Sequence, residues 1–286
     1  MNCFFVSDLH GNTDRYEKLF RQVREEYPSA LFLGGDLLPS PYRAMKAGKV
    51  FQENFIREFL VNQLNRIRHA MGNAYPRVFA ILGNDDARSE ESAIMDAEKE
   101  GVLEYCHNRR IPWGEFTVYG YTNIPPSPFL LKDWERYDVT DYIRPGCVPP
   151  EEGAFTVQPG KQDLKSSTIE KELITLTGED DLGKAIFLFH SPPHGCNLDR
   201  AALDGRRIDG VQVDVHVGST AIRRFIEKRH PMLTLHGHIH ESTRITGLWK
   251  EQFNGTVSFN GSHDGPELSL VRFDPYYPDK AIRELI

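Results

Sequence analysis

Five strand-length apolar runs in this chain break off abruptly into polar side chains, and that recurrence limits the folds open to it. The runs are residues 3–6, ahead of Asp8 and His10; 30–33, ahead of Gly34-Gly35-Asp36; 77–82, ahead of Gly83-Asn84-Asp85-Asp86; 185–189, ahead of His190; and 231–235, ahead of His236-Gly237-His238-Ile239-His240. Apolar runs of about four to eight residues bounded by glycine and polar groups have the length of buried strands. Between the first two runs, Tyr16, Leu19, Phe20 and Val23 recur at helical spacing behind a cap at Thr13 or Asp14. Strand, helix and strand in that order demand a parallel pair with a right-handed crossover. Asp8, Asp36 and Asn84 then belong to one edge of an open α/β sheet, where ligands bind at the carboxyl ends of strands.

Further along, the periodicity predicts helices over 50–71 (Phe51, Phe55, Phe59, Leu60, Leu64, Ile67) and 89–100, and short strands at 102–105 and 116–121. From about 123 to 163 regularity fails: seven prolines and several aromatics mark an insertion, ordered in part rather than a flexible linker. Helices at 167–177 and 219–228 follow, the second bringing the chain to the strand before His238. Strands at 242–246, 256–259 and 268–273 read as a mostly antiparallel closing set.

With 34 basic against 41 acidic residues the formal charge is −7, which argues against an extended nucleic-acid surface. No 18-residue apolar run suggests a membrane span. The first residues lack the basic start and cleavage site of a signal peptide, so a cytoplasmic location is expected. Cys3, Cys106, Cys147 and Cys196 are far apart and read as free buried thiols.

Neutral imidazole is the commonest protein ligand for transition metals. If the strand continues past residue 235, its side-chain period of two projects His238 and His240 to one side. By itself that pair reads equally as a polar strand end. In order, Asp8-Leu9-His10, Gly35-Asp36, Gly83-Asn84, His190 and Gly237-His238-Ile239-His240 resemble the pattern of the calcineurin-like metallophosphoesterases, D-x-H, G-D, G-N-H-D/E, H and G-H-x-H, over residues 8 to 240. Gly218-Ser219 and Pro192-Pro193-His194-Gly195 look like the phosphodiesterase branch. The resemblance implies a four-layer α-β-β-α sandwich with two mixed β-sheets and a single domain over 1–286.

Carried over by position, the resemblance implies two divalent transition-metal ions. Asp8, His10 and His240 would hold one, and Asn84, His190 and His238 the other, with Asp36 between them. Mixed carboxylate and imidazole ligands suit manganese, iron or zinc without choosing among them. Two such ions about 3.5–4 Å apart hold a hydroxide and clamp phosphoryl oxygens for in-line displacement. The implied activity is hydrolysis of a phosphodiester or related small phosphate ester; a non-catalytic scaffold on the same fold and a nuclease are the rival readings.

One position departs from the family. Where many members carry histidine after Gly-Asn, this chain has Asp85, a poor proton donor beside two cations and a repellent to a phosphomonoester dianion. Diesters are therefore expected to be preferred. Asn84, Asp85 and His194 are the catalytic candidates, with His263 as an alternative acid and His236 assigned to a supporting or core role. Lys132 and Arg136, beside Trp134 in the insertion, offer substrate contacts or a solvated loop face.

Overall fold

The computed structural model describes residues 1–40 and 54–286. Fourteen strands are found among them: β1 (Cys3–Val6), β2 (Ala30–Gly34), β3 (Arg77–Ile81), β4 (Glu104–Tyr105), β5 (Arg109–Trp113), β6 (Phe116–Tyr121), β7 (Ala185–Phe189), β8 (Arg207–Ile208), β9 (Val211–Gln212), β10 (Leu233–His236), β11 (Lys250–Phe253), β12 (Thr256–Asn260), β13 (Ser269–Phe273) and β14 (Ile282–Leu285). One six-stranded sheet runs β14-β13-β1-β2-β3-β4 and the other β11-β12-β10-β7-β6-β5, with β8 and β9 forming a separate hairpin. In the first, β1 to β4 are parallel and β13 and β14 antiparallel. In the second, β6, β7, β10 and β12 are parallel and both edges antiparallel.

Alternation along the strands separates three apolar layers. Phe5, Phe32 and Phe79 of the first sheet meet Val118, Leu188, Leu235 and Phe259 of the second, so the sheets pack face to face. Phe4, Val6, Leu31 and Leu33 point the other way, onto helices Thr13–Glu26 and Asn62–Met71. Tyr119, Phe187 and Phe189 pack outward on Ile169–Thr177 and Thr220–Arg229. The layers are thus helix, sheet, sheet and helix. Each fully buried phenylalanine adds roughly 1.5–3 kcal/mol of hydrophobic stabilisation before entropy is counted.

Several local expectations change. Asn12, not Thr13 or Asp14, caps the first helix, its Oδ1 accepting from the Asp14 and Arg15 amides. The beginning of the helix expected over 50–71 lies outside the described residues; the described part is a π-helical turn, Ile56–Val61, running into Asn62–Met71. Residues 242–246 form a short helix, Ser242–Thr246, closed by Gly247 at φ 75°, instead of a strand. The closing strands are mostly antiparallel, as expected, β11 pairing with β12, β13 with β1 and β14 with β13; the exception is β12, which also lies parallel to β10.

Insertion 123–163 is built into the body of the protein. Trp134 is wholly buried, its indole Nε1 donating to the Asp86 carbonyl at 2.8 Å. Lys132 is 0 % exposed and reaches the Glu135 carboxylate at 2.6 Å and the Ser127 carbonyl at 2.8 Å. Arg136 is buried beside Glu172. Neither charge forms a solvated loop face. No helix among the described residues is long and apolar enough to cross a membrane.

Candidate metal centre

The polar strand endings meet at one end of the two sheets. Just past β1, Asp8 takes a left-handed φ of 58° that turns its buried carboxylate toward the second sheet. There the carboxylate accepts from the Ser262 hydroxyl at 2.6 Å and the His238 amide, and lies 3.0 Å from His240 Nε2. The Arg15 guanidinium holds the Asp8 carbonyl at 2.8 Å. His10 and Asp36 are also left-handed, at φ 47° and 51°, and the His10 amide donates to the Asp36 carbonyl at 2.7 Å. Donor atoms of Asp8, His10, Asp36 and His240 all lie within 4.8 Å of one another.

His238 and His240 reach this point by a different route from the strand alternation expected of them. β10 ends at His236, and His238 sits in a turn at φ 71°. Gly237 is required here, since a Cβ would collide with the Ser7 hydroxyl and the Asp8 carboxylate. Gly83 is required for the same reason against Asp36 and His190.

A second group adjoins the first. His190 Nδ1 donates to the Gly34 carbonyl at 2.9 Å, since a carbonyl can only accept, so Nε2 is the atom that faces the site. It lies 3.0 Å from Asn84 Oδ1 and 3.4 Å from Asp36 Oδ1, and the His238 ring is centred 5.2 Å away. The other oxygen of Asp36, Oδ2, lies 3.8 Å from His10 Nε2. Asp36 therefore turns one oxygen to each group.

Two features fit these donors to metal ions. His10 Nε2 and His240 Nε2 stand 3.2 Å apart with Asp8 and Asp36 oxygens beside them, a convergence of electron pairs that a cation relieves. His10 Nδ1 is buried and finds no hydrogen-bond partner among the described residues. The Asp85 carboxylate is 3.4 Å from it, placed to orient the ring so that Nε2 faces Asp36. Asp85 also donates its amide to Asp36 Oδ1 at 2.8 Å and accepts from the Ser40 hydroxyl.

Other histidines are placed elsewhere. His194 Nε2 pairs with Asp214 at 3.0 Å, in a cavity of about 440 Å³ between the insertion and the β8–β9 hairpin. His263 pairs with Glu267. His236 is core, stacked on Phe189 and bonded to the Ser191 carbonyl and Thr234. Arg15, Ser262 and Asp86 carried no recognisable spacing. Yet Asp86 accepts from the Leu37, Leu38 and Gly83 amides and so ties together the two loops that carry Asp36 and Asn84.

Burial disfavours charge on His190, but the Asp36 and Asp8 carboxylates outweigh it and push the imidazole up to about 9. His238, buried and facing His190, is pushed down to about 3. Without metal, His190 is protonated at neutral pH, and a metal binding at Nε2 must displace that proton. A folded value above the ordinary one stabilises the fold fully below about 6.5, and that contribution is lost as pH rises through about 9. Chelator-treated protein should therefore lose thermal stability between those values, and metal titration in weak buffer should release protons; a flat profile with no release would remove this assignment.

The family profile of the calcineurin-like phosphoesterases matches residues 1–242. The chain belongs to this family. Among solved structures, this calcineurin-like phosphoesterase is similar to a protein of Thermus thermophilus (17% identity, 99% of this chain and 98% of that one, TM-score 0.57). It is similar also to a dimetal phosphatase from Danio rerio (12% identity, 95% and 91%, TM-score 0.51). At those identities the likeness is one of fold. No curated protein matches the calcineurin-like chain.

Proposed function

We propose that this calcineurin-like phosphoesterase is a phosphodiesterase with two metal positions that share Asp36. Asp8, His10 and His240 hold one ion, and Asn84, His190 and His238 the other, with residues 1–286 acting as one domain. The observation that carries this reading is the split of the Asp36 carboxylate, Oδ2 toward His10 and Oδ1 toward His190. The similar Danio rerio protein is itself described as a dimetal phosphatase. Bound there, two divalent ions would supply a nucleophile at neutral pH and neutralise charge on the phosphoryl oxygens.

The protein's own residues set the conditions for that chemistry. Ser262 and the His238 amide fix the Asp8 carboxylate, and the Gly34 carbonyl fixes the His190 tautomer. Asp85 contributes a partly exposed carboxylate next to His10, so a second negative charge on the substrate is disfavoured. A phosphodiester monoanion with a leaving group that departs as a stable anion suits this surface best, because Asp85 stands where a proton donor would help. A small ester is favoured over nucleic acid by the net charge of −7.

Matched aryl mono- and diesters test the substrate class. The wild type should favour the diester, and Asp85→His should raise the monoester-to-diester ratio of kcat/KM by about tenfold, the scale of one close charge interaction. A wild-type preference for the monoester, or an unmoved ratio, would refute the charge-based choice of substrate.

A further inference from the structure

Behind the loop that carries Asn84 and Asp85, two arginines line a cavity of about 260 Å³ together with Val157, Gln158, Pro159 and Gly160. Arg88 sits over Trp134, its Cζ 4.9 Å from the ring centroid, with 29 % of its side chain exposed. Arg136 enters from the other side with 10 % exposed. Each has one carboxylate within ion-pair reach of its Nε. Glu91 is 3.5 Å from Arg88 Nε and accepts from the Tyr105 hydroxyl; Glu172 is 3.5 Å from Arg136 Nε and accepts from Tyr121, Asn123 and Ser167. Among the described residues, the Arg88 guanidinium makes no hydrogen bond, and that of Arg136 makes one, from Nη1 to the Glu135 carbonyl at 2.7 Å.

We propose that Arg88 and Arg136 form an anion site for a phosphate group, free or carried on a small ester, distinct from the metal centre. Two guanidiniums with unused N–H groups in one pocket match tetrahedral oxyanions, which planar forks bind through paired, charge-assisted hydrogen bonds. Stacking on Trp134 holds Arg88 in place at little further entropic cost. His107, whose ring is 5.0 Å from that of Trp134, reports the local field: burial first, then the charges of Arg88 and Arg136, push it down to about 3. The pocket is lined by two guanidiniums that stay charged, each offset in part by the carboxylate 3.5 Å from its Nε.

The site requires no metal, so it is tested with the metal centre disabled. Inorganic phosphate and glycerol phosphate are titrated calorimetrically into the full-length Asp36→Asn chain, and into chelator-treated wild type. Saturable, salt-sensitive binding of either probe is expected, equal for the two if the phosphate group alone is recognised and tighter for glycerol phosphate if the cavity also holds the ester group. Arg88→Gln on the same chain should weaken it by at least about tenfold, and Arg88→Lys, which keeps the charge without the fork, by less. Arg136→Gln should weaken it similarly; that side chain is buried, so folding is checked by circular dichroism, and the variants of the partly exposed Arg88 decide if it unfolds. No saturable binding of either probe, or Arg88→Gln within about twofold of its parent, overturns the proposal.

Discussion

Asp36→Asn should leave the protein folded, strip it of bound metal and lower turnover by at least about 10²–10³-fold, the scale of removing one fixed electrostatic stabiliser. Asparagine tolerates the left-handed φ of 51° at this position, so the backbone is not the cause of the loss. Its amide oxygen still accepts from the Asp85 N–H. What disappears is the negative charge and the second oxygen, the one directed at His10. Elemental analysis and steady-state kinetics, with circular dichroism as control, check the result. Full metal occupancy or near-normal turnover would rule out a shared carboxylate.

Trp134→Ala should cost roughly 3–5 kcal/mol of stability, the range for truncating a buried aromatic side chain. Trp134 is fully buried, packs in the cluster beneath the first sheet, touches His107 and Arg88, and donates to the Asp86 carbonyl. Trp134→Phe keeps most of the volume and should cost about 1–2 kcal/mol, chiefly the lost hydrogen bond. Urea unfolding of both variants separates packing from bonding. A loss below about 1 kcal/mol for the alanine variant would mean that the insertion is a detachable cover, which the burial of Lys132 and Arg136 contradicts.

The parallel strands and the residues at their ends were legible because both are local patterns. An apolar run that breaks into a polar side chain identifies a strand end without knowledge of its neighbours, and Asp8, Asp36, Asn84 and His190 were all visible that way, Asp36 and Asn84 directly behind a glycine. The spacing of His238 and His240 also pointed to the centre, although the backbone between them is a turn rather than a strand. β5, β11 and β14 were not legible, since Arg109-Arg110, Lys250-Glu251-Gln252 and Arg283-Glu284 look like loop. Charged residues are what sheet edges commonly carry to discourage further pairing. Thr243, Ile245 and Thr246 read as strand formers, but Gly247 in a left-handed conformation closes them into a helical turn. The burial of Lys132 depends on Glu135 and Ser127 folding around it, which no single-residue preference encodes.

The first strand also sets the order of assembly. β1 lies between β2, which follows it closely in the chain, and β13, which begins at Ser269. The candidate ligand just beyond its end, Asp8, lies 3.0 Å from His240, 232 positions further along the chain, and is steadied by Ser262, 254 positions along. Closing contacts of such span is entropically costly and slow, and metal donors held apart on a disordered chain cannot repay it early. The centre is therefore a late product of folding. On a growing polypeptide every candidate ligand has been made by His240, yet the strand and the serine that hold Asp8 in place are still to come, so metal capture waits for the two sheets to dock.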